Sequence, residues 1–180
     1  MKKILPGLLM LVVLRCTPSE KHYDRVDAQR GYKDLTLDAP YEQFRGKVEM
    51  RLTLADSCKA TKKYQITSQK YLQMGAVQFH TAELEFVRDT LIRTTLYTKD
   101  SYESAGQLQA LYRQEFGQPQ EVKAVDYKST NWNGQNYTLH LIDNRKSNDI
   151  ELEYASIKGI QQSIAAEKAC QERKINGHQK

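Results

Sequence analysis

Chemistry in this chain would have to come from three cysteines, four histidines, a few alternating carboxylates and one tryptophan. The histidines, His22, His80, His140 and His178, stand far apart; they form no His-x-x-x-His pair, and none lies at metal-ligand spacing from a cysteine. A zinc site draws no support from that pattern, because the closely spaced ligand pairs typical of zinc sites are missing from the sequence. Glu83 with Glu85, and Glu151 with Glu153, are two residues apart, so in a strand each pair shares one face. Paired carboxylates serve glycosidase acid/base work, but the same spacing marks the wet face of an amphipathic strand. The chain has no Gly-x-Ser-x-Gly elbow, phosphate-binding glycine loop or calcium loop. No catalytic, cofactor-binding or metal-binding residue is assigned, and no cofactor is expected.

Setting Cys16 aside leaves Cys58 and Cys170, an even number that reads as a disulfide if the chain reaches an oxidising compartment. The alternative is a reactive thiol at Cys58, activated by Lys59, Lys62 and Lys63. A thiol enzyme also needs a base, and the sequence places neither His80 nor His140 beside Cys58. Eleven tyrosines are the one compositional excess, and aromatic rings with polar tips suit wet interfaces. Trp132 directly precedes Asn133-Gly134, a strong hairpin signal, so it is either a ligand contact exposed beside a turn or a packing residue across its own hairpin.

The N-terminus gives an address. Lys2 and Lys3 precede Ile4 to Leu14, an uncharged and mostly apolar stretch that suits a signal-peptide core but is too short for a bilayer of about 30 Å. Val13-Leu14-Arg15-Cys16 resembles the lipobox of bacterial lipoproteins, and the resemblance implies lipidation of Cys16 and membrane attachment through a lipid anchor. Cleavage after Ser19 is the competing reading. The expected organisation is a signal segment at 1–16, a charged tether at 17–31 and a single domain at 32–180.

The net charge of +5 owes three cations to Lys2, Lys3 and Arg15; without them 24 basic groups face 22 acidic ones. A surplus of +2 with no Lys/Arg cluster gives little attraction for phosphate backbones, so nucleic acid is not an expected partner. A charged content of 27% and a mean hydropathy of -0.70 describe a water-soluble globule.

Positioning elements follow from periodicity. Val48, Met50, Leu52 and Leu54 alternate with polar residues and predict a half-buried strand. Leu84 and Phe86, then Ile92, Thr94 and Leu96 on one face, predict a hairpin turning at Arg88-Asp89. A helix is predicted from Asp100 or Ser101, with Ala105, Leu108, Leu111, Tyr112 and Phe116 as its apolar face, Gly117 as its cap and Pro119 as its stop. Asn133-Gly134 should join Val122–Lys128 to Asn136–Ile142, with Ile150, Leu152 and Tyr154 continuing the meander after a loop at 143–148. Ile157, Ile160 and Ile164 give the helical spacing of a final helix, followed by a charged tail after Cys170.

The predicted fold class is α+β: an antiparallel sheet built from hairpins, covered on one face by a central helix and a C-terminal helix. The expected function is that of an exported cell-envelope protein, a non-catalytic binding or structural module whose partner is another envelope protein or a cell-wall component. The alternative is a small exported hydrolase whose carboxylates or histidines converge only in the fold.

Overall fold

The computed structural model describes residues 23–99, 102–144, 146–147 and 149–177. The signal segment, the Cys16 lipidation site, the Ser19 cleavage site, His22, His178 and the Asp100 or Ser101 cap lie outside the described residues. Eight strands form one antiparallel sheet: β1 (Met50–Asp56), β2 (Thr61–Ile66), β3 (Thr81–Val87), β4 (Thr90–Thr98), β5 (Gln120–Lys123), β6 (Tyr127–Asn133), β7 (Tyr137–Asn144) and β8 (Asp149–Ser156). Their spatial order is β1-β2-β3-β4-β8-β7-β6-β5, so the chain makes two four-stranded meanders joined through their last strands. Helix α1 (Tyr23–Gln29) precedes the first meander, α2 (Tyr102–Phe116) connects the two, and α3 (Ile157–Gly177) follows the second.

The predicted sheet and its two helices are present, and the sheet dominates. The helices do not share a face. Thr94, Leu84 and Tyr154 stand in one register row, on the side where Tyr112 of α2 meets Tyr154. Ile92 projects to the other side, where it touches Gly159 of α3. The main core therefore lies under α1 and α2, filled by Leu84, Phe86, Leu96, Leu108, Tyr112, Leu139, Leu152 and Tyr154, among others. A thinner layer of Val87, Ile92, Ala155, Ala166 and Cys170 is buried outside that cluster, and α3 packs against β3, β4 and β8.

Several local expectations change for identifiable reasons. Val48 is buried, but β1 is an edge strand with no buried residue, and its alternation breaks where Thr53 is skipped between the pairs Leu52↔Tyr64 and Leu54↔Lys63. The bulge turns the two leucines to opposite sides, a device that spoils edge-to-edge pairing. A second bulge makes Ile92 the extra residue between Phe86↔Leu91 and Glu85↔Arg93, so Leu91 rather than Ile92 shares the face of Thr94 and Leu96. The glycine-free turn Arg88-Asp89 has both residues at positive φ, 50° and 59°, as a two-residue hairpin of matching twist demands. In α2, Leu108, Tyr112 and Phe116 are buried as predicted, Gly117 caps the helix at φ 81°, and Leu111 is 42% exposed.

The second meander turns differently from the prediction. Residues 120–128 contain a hairpin of their own between β5 and β6, closed by the Ala124 amide donating to the Tyr127 carbonyl. The β6–β7 turn falls at Gln135-Asn136, two residues beyond the expected Asn133-Gly134, with the Gly134 amide donating to the Tyr137 carbonyl. Asp27 of α1 holds it: its carboxylate accepts from the backbone amides of Gln135 (2.9 Å), Asn136 (2.9 Å) and Tyr137 (3.0 Å) and from Asn136 Nδ2 (3.2 Å). Gly134 serves that approach, because a Cβ there would lie 2.1 Å from Asp27 Oδ1. Within the stretch expected to be a tether, Tyr23–Gln29 forms α1 and Val26 is buried.

Helix α3 also uses an unpredicted face. Ile164 is 62% exposed, whereas Gly159, Ala166 and Cys170 are buried. Small residues at this spacing let the helix lie close to the sheet, and a Cβ at Gly159 would stand 2.5 Å from Ile92 Cβ. Ser156 caps the helix: its Oγ accepts from the Gly159 amide at 3.0 Å and donates to Asp38 Oδ1 at 2.7 Å. The expected charged tail continues as helix to Gly177. Gly159→Ala should overpack this contact and cost about 1–3 kcal/mol in urea unfolding, and Ile92→Ala in the same chain should recover part of the helix-to-sheet fit. A Gly159→Ala protein as stable as the parent would contradict the close approach.

Candidate functional site

Where α3 does not cover it, the sheet presents an open polar face on the side opposite the main core. Three register rows cross that face. One runs Lys63, Glu85, Arg93, Ala155, Thr138; the next runs Gln65, Glu83, Thr95, Glu153, His140, Asn131, Gln120; the third runs Thr81, Tyr97, Glu151, Ile142, Ser129, Val122. Period-two alternation on seven neighbouring strands brings them together, since every second residue of each strand points the same way. The two carboxylate pairs of the sequence therefore converge on one surface, on strands separated by β4.

Cations interleave with those carboxylates. Lys63 Nζ lies 2.9 Å from Glu83 and 3.9 Å from Glu85; Arg93 reaches Glu85 at 3.4 Å and Glu153 at 3.3 Å; and His140 Nδ1 lies 3.6 Å from Glu153. The Arg93 Nε to Glu153 contact is an ion pair without hydrogen-bond alignment, since that buried nitrogen has no hydrogen-bond partner. The side chains of Glu85 and Glu153 are only 11% and 17% exposed, so water screens this network less than an ordinary surface pair.

Glu153 and its neighbour on the same face, Glu151, are shifted in opposite directions. Burial raises the Glu153 carboxyl, but the facing His140 and the charges of Arg93 and Lys63 outweigh it and hold the group below the usual carboxylate range. Glu151, two residues earlier, has no such cation: burial first, then Glu153 and Asp149, push it up. Tyr97 beside Glu151 is pushed up to about 12, chiefly by burial and further by the charges of Glu83 and Glu151.

At the β5–β7 end of the same face the charges stop. Val122, Tyr127, Ser129, Asn131, Ile142 and Asn144 line a shallow cleft of about 440 Å³, with Val122 41% and Tyr127 42% exposed. The Ser129 hydroxyl donates to Asn131 Oδ1 across its floor. A separate polar cavity of about 570 Å³ lies by the Asp27 clasp, among Arg30, Asp38, Asn136, Tyr137 and Lys158.

The remaining sequence candidates are scattered. Cys58 and Cys170 are bonded to each other, with Cα atoms 5.3 Å apart at a sequence separation of 112. This is the expected disulfide, and a bonded Cys58 offers no free thiol. Lys59, read as an activator of that thiol, instead pairs with Glu167 of α3 at 2.8 Å. Trp132 is 3% exposed; its Nε1 donates to the Gly117 carbonyl at 3.0 Å and its ring lies 5.6 Å from Tyr112. It therefore packs on the core side and is not exposed beside a turn. His80 is exposed before β3, away from His140 in β7. The sequence reading passed over Arg93 and Tyr127, and it took Lys63, which pairs with Glu83, as an activator of Cys58. Arg93 stood out only as the lone charge in a β-branched run, and its partners become visible only once the strand order is known.

The opposed shifts of Glu151 and Glu153 give opposite stability effects. A folded-state pKa below the unfolded value adds stability that is present above the unfolded value and lost as pH falls through the folded one; a raised pKa does the reverse. Glu153→Gln should cost roughly 1–3 kcal/mol at pH 7 by removing one of the two carboxylates of Arg93 and the carboxylate facing His140, and the gap to the parent should close below about pH 4. Glu151→Gln should leave stability unchanged or raise it by up to about 0.5 kcal/mol at pH 7, with no difference in acid. Urea midpoints across that pH range test both, and matching signs for the two variants would refute the assignment.

Compared with known protein families, curated proteins and solved structures, the chain matches none of them, so its function must be argued from this geometry.

Proposed function

We propose that this chain is an exported cell-envelope protein that works as a non-catalytic binding module, with the open face of the sheet as its working surface. The observation that carries this reading is the mutual pairing of Lys63, Glu83, Glu85, Arg93, Glu153 and His140. Groups engaged in this way are pre-ordered and neutralised, which suits recognition; a general acid or nucleophile needs a group held free for the reacting atom. Export is supported by the Cys58–Cys170 bond, which persists in oxidising compartments, and by the lipobox-like residues before Cys16. No helix among the described residues is long and apolar enough to cross a membrane, so attachment through a lipid on Cys16 is the anchoring we propose. The partner is another envelope protein or a cell-wall component.

A second reading, a small exported hydrolase, is favoured by one observation: Glu151 is held protonated to higher pH while Glu153 two residues away is kept ionised. Divergent carboxyls divide acid from base in hydrolases. A hydrolytic activity toward glycan or peptide that Glu151→Gln abolishes without unfolding the chain would replace the binding reading.

The first test is the intact mass of the protein isolated from a bacterial envelope, alkylated before reduction. An acylated N-terminus at Cys16 with Cys58 and Cys170 both protected is expected. A retained leader with alkylated Cys58 would overturn the exported, tethered reading.

A further inference from the structure

We infer that the cleft lined by Val122, Tyr127, Ser129, Asn131, Ile142 and Asn144 binds an uncharged sugar ring of a glycan. The inference rests on the binding-module reading above and gives that reading a ligand class.

Three features of the cleft argue for that class. Its volume of about 440 Å³ falls within the range of small-ligand sites, roughly 300–1,000 Å³. Its lining joins an aromatic ring and two branched aliphatic side chains to one hydroxyl and two carboxamides. A sugar ring has the same division, with a C–H face that lies on carbon surfaces and an equatorial rim of hydroxyls that both donate and accept. Ser and Asn also do both, so they match hydroxyls whichever way those turn. The third feature is charge: no lining residue carries a formal charge, in a chain where 27% of residues do and with the Glu153–Arg93 network on the same face. An anionic ligand would find no cation among the lining residues, and the nearest charges in the paired rows are the carboxylates Glu151 and Asp149, opposite Ile142 and Asn144.

Register makes this a built surface. Val122, Ser129 and Ile142 form one row across β5, β6 and β7, and Tyr127 pairs with Asn144 in the row beside them. Neighbouring strands lie about 4.8 Å apart, so the cleft spans about 10 Å of hydrogen-bonded sheet. Side chains on paired strands hold their positions better than those on loops, which lowers the ordering cost of a weak ligand. Tyr127 and Val122 are each more than 40% exposed although large and carbon-rich, and they face the same opening.

The test uses the full chain with its disulfide intact, titrated with tetra-N-acetylchitotetraose and followed by amide chemical shifts. Perturbations confined to Val122, Tyr127, Ser129, Asn131, Ile142, Asn144 and their sheet neighbours are expected, unchanged between low and high salt. Tyr127→Ala and, separately, Asn131→Ala should each weaken binding about tenfold while leaving the remaining amide spectrum in place. No perturbation with this probe or with cellotetraose at millimolar concentration, perturbations elsewhere on the chain, or parent-like binding by both variants would overturn the site. Co-sedimentation with purified cell-wall sacculi separates this inference from the broader reading. If the parent and Tyr127→Ala pellet equally, the envelope-binding reading stands and the cleft is overturned as its sugar site. If the chain binds chitotetraose in the cleft but does not pellet, the site stands and the cell wall fails as its source.

Discussion

Everything in this molecule depends on the antiparallel pairing of β4 with β8. Each meander is local: its strands follow one another through short turns and close at low entropic cost. The β4–β8 ladder, from Thr98↔Ile150 to Arg93↔Ala155, is the seam that makes two small sheets one. It joins residues more than 50 apart, so its cost is met by burial on both faces: Thr94, Leu96, Leu152 and Tyr154 on the main core side, Ile92 and Ala155 under α3. The same seam puts Arg93 between Glu85 of the first meander and Glu153 of the second. The charged network is in effect a signature of the joint, since four of its members come from the first meander and two, His140 and Glu153, from the second.

Helices on opposite faces mean that the two meanders are not copies of one another. Antiparallel neighbours are exchanged by a two-fold axis normal to the sheet, which would put both following helices on one face. The asymmetry sets α3 against β3, β4 and β8 on the second face and leaves the β5–β7 end of that face outside its main contacts. The uncharged cleft lies at that end, where no helix of the described chain competes with a ligand.

The sequence was most legible where structure is decided within one element. Helix α2 showed its face and its stop because Gly117 and Pro119 act locally, and β7 and β8 showed their alternation because each is buried on one side by its apolar set. The cysteine count led to the Cys58–Cys170 pair through redox chemistry, without any knowledge of the fold. Failures occurred where a distant residue overrides a local preference. Asn133-Gly134 carries the stronger turn propensity, yet the carboxylate of Asp27, more than 100 residues away, gathers the amides of Gln135, Asn136 and Tyr137 and sets the turn there. The isoleucines of α3 mark an apolar stripe, but the sheet beneath accepts only the small side of the helix, because Ile92 already fills the gap. The carboxylate pairs were visible as pairs; that β4 would place Arg93 between them was not, since strand order is not written in periodicity.

The Cys58–Cys170 bond has a mechanical meaning. Its covalent loop encloses β2 to β8, α2 and most of α3; among the described residues it leaves outside α1, the segment through β1, and the last turns of α3. Tension applied to the two ends of the chain therefore passes through the sulfur bridge and bypasses the enclosed strands. Seven of the eight strands bear no load, including every residue of the open face. Force on the ends is borne first by α1, β1 and the contacts they make, the Asp27 clasp on the β6–β7 turn among them, while the backbone of the enclosed strands carries no tension.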